Sequence, residues 1–340
     1  MNRALIRISL IFIAACWSLS LSGQAKGSFE VRSVSTISGG SDEIAPVIVK
    51  EGILFCSNRK PNPFLTKKNL DGVRLYDLYF APFSPDGEPG KPYRFTDGLG
   101  KNINIGPAYL TPDGDTLYFT RNITSGERLK KKQSNVLGIF IAHRQGNKWI
   151  DIKPFTYNDP GYNVSFPFVS QDGKYLFFSS NMPGGHGRYD IYVCEKINGH
   201  WGKPSNLGDN VNSANAEIHP FLHTSGRLYF ASDRPGGMGG LDIYFSSLVY
   251  GNWSKPVRLD DPINSEADDF AFYSIPGGQV GYFTSNRRRY SDDIYKFATT
   301  IIRWSNCDTL QANSYCYEFI EENALKHDSI DIKFRWEWNF

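Results

Sequence analysis

The side chains whose spacing could do chemistry are carboxylates. Three residues before a recurring proline stand Glu43, Asn104, Val164 and Glu217; the same count before Ala271, which replaces proline in the last repeat, reaches Asp268. Three acids at equivalent positions of different repeats could converge on one axis and act as acid and base on a glycosidic bond. A second column opposes that reading. Four residues after a recurring phenylalanine stand Arg59, Ile123, Met182, Arg234 and Arg287. Acid and arginine appear and vanish together, as members of charge-assisted pairs do: Glu43 with Arg59, Glu217 with Arg234, Asp268 with Arg287. A paired carboxylate has its pKa lowered, whereas a general acid needs a raised one. The pattern favours structural ion pairs, and no catalytic residue is assigned.

The columns are set by a repeat, and self-similarity at a fixed period decides a fold. An aromatic strand recurs five times, as Ile53-Leu54-Phe55, Leu117-Tyr118-Phe119, Leu176-Phe177-Phe178, Leu228-Tyr229-Phe230 and Gly281-Tyr282-Phe283. Upstream lie Pro46, Pro107, Pro167, Pro220 and Ala271; downstream lie Asp77-Leu78-Tyr79, Gly138-Ile139-Phe140, Asp190-Ile191-Tyr192, Asp242-Ile243-Tyr244 and Asp293-Ile294-Tyr295. Turns such as Pro112-Asp113-Gly114-Asp115 separate the strands, with Gly supplying the positive φ a tight hairpin needs. Four short strands per unit make a propeller blade. The expectation is an all-β, five-bladed β-propeller over 28–298. Its last blade lacks a fourth strand, which Phe29 to Ser35 should supply, and the five phenylalanines should pack between blades.

Other reactive residues have simpler explanations. His219 and His223 share an inner strand without a third ligand nearby, which is weaker than a metal site requires. Asp77, Asp190, Asp242 and Asp293 open third strands, where bracing a turn accounts for them. Arg128 and Lys130 to Lys132 form a basic run without interleaved aromatics, so nucleic acid is not indicated. Trp149, Trp201 and Trp253 recur with the repeat, as core residues would. There is no Gly-x-Ser-x-Gly, His-Glu-x-x-His or Walker loop, and no cofactor or metal is assigned.

The 340 residues are 40% hydrophobic with a net charge of +2, which gives a chain able to build a core and no bulk reason to bind nucleic acid or anionic lipid. Arg3 and Arg7 precede an apolar run from Ile8 to Leu21, and small residues follow, the layout of a signal peptide over 1–25. Ile13-Ala14-Ala15-Cys16 loosely resembles a lipobox, which makes Cys16 a candidate lipid anchor. Export permits disulfides, and Cys307 and Cys316 bracket a short loop that one could close. Cys56 and Cys194 sit in apolar strands as small buried hydrophobes.

The phrases Pro-x-x-x-x-Asp-Gly-Lys/Asp, Leu-Tyr-Phe-x-Ser-Asn/Asp-Arg-Pro-Gly-Gly and Asp-Ile-Tyr resemble the WD40-like repeat of TolB-type propellers over about Phe29 to Phe297. Residues 299–340 are read as a linker and the start of a β-sandwich. Their close, Trp336-Glu337-Trp338-Asn339-Phe340, is similar to the opening of the PKD signature and gives an incomplete immunoglobulin-like segment. An exported propeller followed by such a segment resembles Bacteroidetes envelope proteins of the OmpA family and PorE-like proteins of type IX secretion and gliding. That resemblance implies a non-catalytic, protein-binding scaffold in the periplasm or at the periplasmic face of the outer membrane. Its partners would be envelope proteins or secretion and gliding components, with peripheral membrane association. The alternative is a propeller glycoside hydrolase or glycan-binding lectin using acids at the channel mouth.

Overall fold

The computed structural model describes residues 28–59, 74–100, 103–123, 136–288 and 291–300, and two short strands beyond them. The segments assigned to the signal peptide, Cys16, Cys307 and the PKD-like close lie outside the described residues. No helix among the described residues is long and apolar enough to cross a membrane.

Residues Phe29–Thr299 form a five-bladed β-propeller. Blade one runs inner to outer through Glu43–Val49, Gly52–Ser57, Asp77–Pro82 and Tyr93–Arg94. Blade two comprises Ile105–Leu110, Thr116–Asn122, Leu137–Gln145 and Lys148–Pro154. In blades three and four the outer strand is split into two short pieces. Their longer strands are Val164–Val169, Tyr175–Ser180 and Asp190–Ile197, then Glu217–Leu222, Arg227–Ser232 and Asp242–Val249. Blade five holds Asp269–Ser274, Val280–Ser285 and Asp293–Thr300, and its fourth strand is the N-terminal Ser28–Ser33. A separate unit contributes the pairing of Trp304–Ser305 with Cys316–Tyr317.

Burial drives the stacking. Phe55, Phe119, Phe178, Phe230 and Phe283 are all buried, each contributing about 1.5–3 kcal/mol. Trp149 is buried, and Trp201 and Trp253 pack half-buried against the core. Cys56 and Cys194 are buried free thiols. Burial pushes the Cys194 thiol up to about 12, so it is unreactive as a nucleophile.

Every inner strand carries a bulge, placed between Ile44 and Val47, Ile105 and Ala108, Ser165 and Phe168, Ile218 and Phe221, and Phe270 and Tyr273. Within it one residue takes positive φ: Ala45, Gly106, Phe166, His219 and Ala271. A bulge sets two residues against one and bends the strand around the axis. In blade one the proline comes third after the residue paired to Ser57, but in blade two Pro107 comes second after Ile105, and in blade five Phe272 holds the third place. Proline therefore keeps its place in the bulge, directly after the positive-φ residue, but not its distance from the residue paired with the second strand.

Two rings of side chains stitch the blades together. Asp42, Asn104, Asn163 and Asp268 accept, on Oδ1, the backbone N–H of Asp292, Tyr76, Leu137 and Leu241 in the preceding blade, at 3.4, 3.0, 2.8 and 2.8 Å. In the connections between blades, Asn158, Asn212 and Asn264 accept from Ile139, Ile191 and Ile243 and donate back to the same residues' carbonyls. Ser38 does the accepting half of this job for Ile294.

Candidate functional site

The acid column is set by strand pairing. Opposite Ser57, Arg121, Ser180, Ser232 and Ser285 stand Glu43, Ile105, Val164, Glu217 and Asp269. Two assignments made by counting back from proline are corrected. Asp268 is not the partner of Arg287; Asp269 is, with Nη2 at 2.6 Å from its carboxylate. Asn104 is likewise not in the acid column, which Ile105 occupies. The cause is the displaced or missing proline in blades two and five. Asp268 instead belongs to the inter-blade ring, accepting from Leu241 on Oδ1 and from Asn286 Nδ2 on Oδ2.

Three blades build one and the same unit. Arg59, Arg234 and Arg287 each donate Nε to a serine hydroxyl, of Ser57, Ser232 and Ser285, at 3.1, 3.0 and 2.9 Å. Each sends Nη2 to a carbonyl of the turn entering its blade, of Ile37, Val211 and Ile263, all at 2.6 Å. The same Nη2 lies 3.1 Å from Glu43, 3.0 Å from Glu217 and 2.6 Å from Asp269. Each guanidinium also sits about 5 Å above two rings of its own blade: Phe55 and Tyr79, Phe230 and Tyr244, Phe283 and Tyr295. The carboxylates hold several donors each. Glu217 accepts from Ser213 N–H and Oγ, Ser232 Oγ and Arg234, and Asp269 accepts from Ser265 N–H and Oγ and from Arg287.

Such an acid, buried and holding three or four donors, is poorly placed to take a substrate proton. Pairing does not lower every one of these carboxyls: burial pushes Glu43 up, outweighing Ser57, Arg59 and the Gly39 N–H. At 1% exposure Glu43 is nonetheless shut off from any substrate.

The central channel does not bring the acids together. Its free volume is about 40 Å³, room for little more than a water or two. Rings from neighbouring blades close it, with centroids 4.9 Å apart for Tyr109 and Phe168, 5.4 Å for Phe168 and Phe221, and 4.3 Å for Phe221 and Tyr273. Among the described residues no carboxylate lines it. His219 borders the free space, half-buried and stacked 4.2 Å from Phe166, and burial pushes its pKa down to about 3. The imidazole is neutral at any ordinary pH. His223 is a separate group, bonded to Ser225 Oγ and the Ile275 carbonyl. Among the described residues no cluster of three His, Cys, Asp or Glu could hold a metal.

The third-strand aspartates brace loops. Asp190 accepts the N–H groups of His186 and Gly187, and Asp242 those of Met238 and Gly239. A Cβ on Gly185 or Gly237 would run into those carboxylates, which explains the Pro-Gly-Gly that precedes them.

One acid stands among its own kind. Asp292, at the seam between blades five and one, has its pKa pushed up to about 6 by burial and by Asp42, Asp268 and Asp293. Folded, it holds its proton more tightly than unfolded, where the ordinary value is 3.8. Its contribution to stability is therefore whole below about pH 3.8 and is lost as pH rises through 6. Asp292→Asn should stabilise the protein at pH 7.5 by about 1 kcal/mol, the shift being discounted for partial exposure, and leave it unchanged at pH 4. Urea titrations at the two pH values check this; an equal effect at both would assign the gain elsewhere.

Fold and site together define a five-bladed β-propeller whose buried inner-strand acids are committed to ion pairs. Solved structures similar to it include a putative TolB from Agrobacterium tumefaciens, at 18% identity over 76% of this chain and 77% of that one, TM-score 0.45. Another is a protein of unknown function from Dyadobacter fermentans, at 12% identity over 77% of each chain, TM-score 0.47. A third is a thermostable family-43 glycoside hydrolase, at 13% identity over 82% of this chain and 94% of that one, TM-score 0.45. Likeness at this level speaks to architecture alone. No family model matches the chain, and no curated protein matches it.

Proposed function

We propose that this propeller is a non-catalytic interaction scaffold of the bacterial cell envelope, exported to the periplasm and working at the periplasmic face of the outer membrane. The observation that carries the reading is the fate of the acids. The three acids of the column, Glu43, Glu217 and Asp269, are buried in ion pairs, and the channel, lined by aromatic rings and no carboxylate among the described residues, has little free space. Binding then falls to the loop-bearing face, where the Pro-Gly-Gly loops of blades three and four are held rigid by Asp190 and Asp242. The resemblance to OmpA-family and PorE-like proteins points to secretion or gliding components as partners.

Photo-crosslinking residues placed in the Pro183–Gly187 and Pro235–Gly240 loops, and on the outer rim as control, test this in living cells. One recurrent envelope-protein adduct from the loops and none from the rim is the expected result. Hydrolysis of an envelope glycan by the purified protein, abolished by Glu217→Gln without loss of stability, would overturn the reading.

A further inference from the structure

Blade two departs from its siblings in one corner. It keeps the guanidinium but supplies it from residue 121 rather than 123. Arg121 Nη1 donates to the Leu99 carbonyl at 3.2 Å, the turn position held elsewhere by Ile37, Val211 and Ile263. Its guanidinium lies 3.9 Å from the centroid of Phe140, which takes the place of Tyr79, Tyr244 and Tyr295. The turn carbonyl and the third-strand ring are kept, but Arg121 itself stands in the serine's place, Ile105 replaces the acid, and among the described residues Arg121 has no anionic partner. Blade three shows what the ring requires when the acid is lost: Val164 pairs with Ser180, Met182 replaces arginine, and no charge remains. Ring packing alone therefore gives no reason to keep Arg121.

A second acid is missing beside it. Asn58 and Asn286 donate Nδ2 to Asp42 and Asp268. In blade two Asn104 replaces that aspartate and spends its Oδ1 on the Tyr76 N–H, leaving Asn122 Nδ2 buried without an acceptor. Blade two thus lacks both acids that blades one and five supply, at Arg121 and at the adjacent strand position Asn122. Burial pulls the Arg121 pKa down, the mark of a cation losing water without gaining an anion. Arg121 is only half-buried, so solvent reaches it.

We propose that this corner of blade two binds an exogenous carboxylate on the solvent-reached side of the Arg121 guanidinium, in place of the internal acids Glu43, Glu217 and Asp269 of its siblings. A guanidinium with its Nε and Nη2 free presents the fork that a planar carboxylate takes bidentately. The ligand is a small carboxylic acid or the side chain of a partner's Asp or Glu, and the inference stands whether or not the scaffold reading does.

The test is a titration of the purified full chain with sodium acetate at constant ionic strength, sodium chloride making up the balance. The wild type should show a saturable rise in thermal midpoint of about 2–4 °C once acetate exceeds its Kd several-fold. Arg121→Gln should fold and lose the response. Ile105→Glu should supply the carboxylate from within, folding normally and abolishing the response; if it does not fold, the Arg121→Gln comparison decides alone. A peptide with a central Glu that binds more tightly than acetate, while its Gln counterpart does not bind, assigns the ligand to a protein side chain. Equal binding of acetate and the Glu peptide assigns it to small acids. No saturable response, or the same response in wild type and Arg121→Gln, makes Arg121 a packing residue and overturns the proposal.

Discussion

Replacing Glu217 by Ala should cost the propeller about 3–5 kcal/mol, and replacing Arg234 by Ala nearly as much, because either change leaves a desolvated charge without its partner. Glu217 is fully buried and Arg234 is mostly so, with 15% of its side chain exposed, so water can do little to replace the lost contact. The serines suffer as well: Ser213 and Ser232 both donate to Glu217 and would lose their acceptor. The informative variant is the double one. Blade three fills the same two positions with Val164 and Met182 and keeps the same register opposite Ser180. Glu217→Val with Arg234→Met should therefore be more stable than either single alanine variant, and within about 2 kcal/mol of wild type, since a buried ion pair exchanged for apolar groups is often near neutral. Chemical denaturation of wild type, the double variant and the singles Glu217→Val and Arg234→Met measures the coupling. A double variant as damaged as the sum of the singles would mean the two groups act independently, and the paired columns would lose their physical meaning.

The second large effect is expected at the ring's closure. Removing residues 28–38 should abolish cooperative unfolding, a loss of more than about 5 kcal/mol and comparable to the whole stability of an ordinary domain. The segment does three jobs at once. It supplies the fourth strand of blade five, with the Val34 N–H donating to the Ile294 carbonyl and Phe29 packed edge-on to Phe297 at 5.9 Å. It buries Val34 and Ile37 in a cluster with Ile53, Phe55 and Ile294, which joins blade five to blade one. It also carries the Ile37 carbonyl that receives Arg59. Near-ultraviolet circular dichroism and thermal scans should show a collapsed, non-cooperative chain. A synthetic peptide of residues 28–38 added in trans should restore part of the transition. A truncated protein that still melts sharply would place the closure elsewhere.

The propeller was legible because a blade cannot bury both faces alone, so the same aromatic, turn and Asp-Ile-Tyr signals had to recur in every unit. The missing fourth strand after Phe297 and the alternation of Phe29 to Ser35 were enough to pair the two ends. The acid column was legible only to within one residue. Counting from proline treats its distance to the acid as fixed, but in blade two the whole bulge sits one residue nearer the residue paired with Arg121, and in blade five Phe272 takes the proline's place while Ala271 holds the positive-φ place before it. Register against the second-strand serine is what fixes the column, and that became visible only when the strands were paired. The asparagine ring escaped notice for a related reason. Asn158, Asn212 and Asn264 recur, but Ser38 and Gly100 hold the position in blades one and two, and connection residues look like ordinary polar loop in a linear reading. Arg121 was overlooked because it lies outside the arginine column; its meaning comes from Leu99 and Phe140, which only the fold brings to it.

The strand swap at blade five also decides how the molecule answers tension. Going from Phe29 to Val34, its neighbours run back from Phe297 to Ile294, so the two strands are antiparallel and the chain enters and leaves the ring side by side at the rim. A pull on the flanking segments would peel that ladder open one rung at a time, while blades one to four bear none of the load. The ring thus carries a single mechanical fuse where its two ends pair. It would give way at modest force, in a defined place, and its remaining blades would stay paired until the first strand had come free.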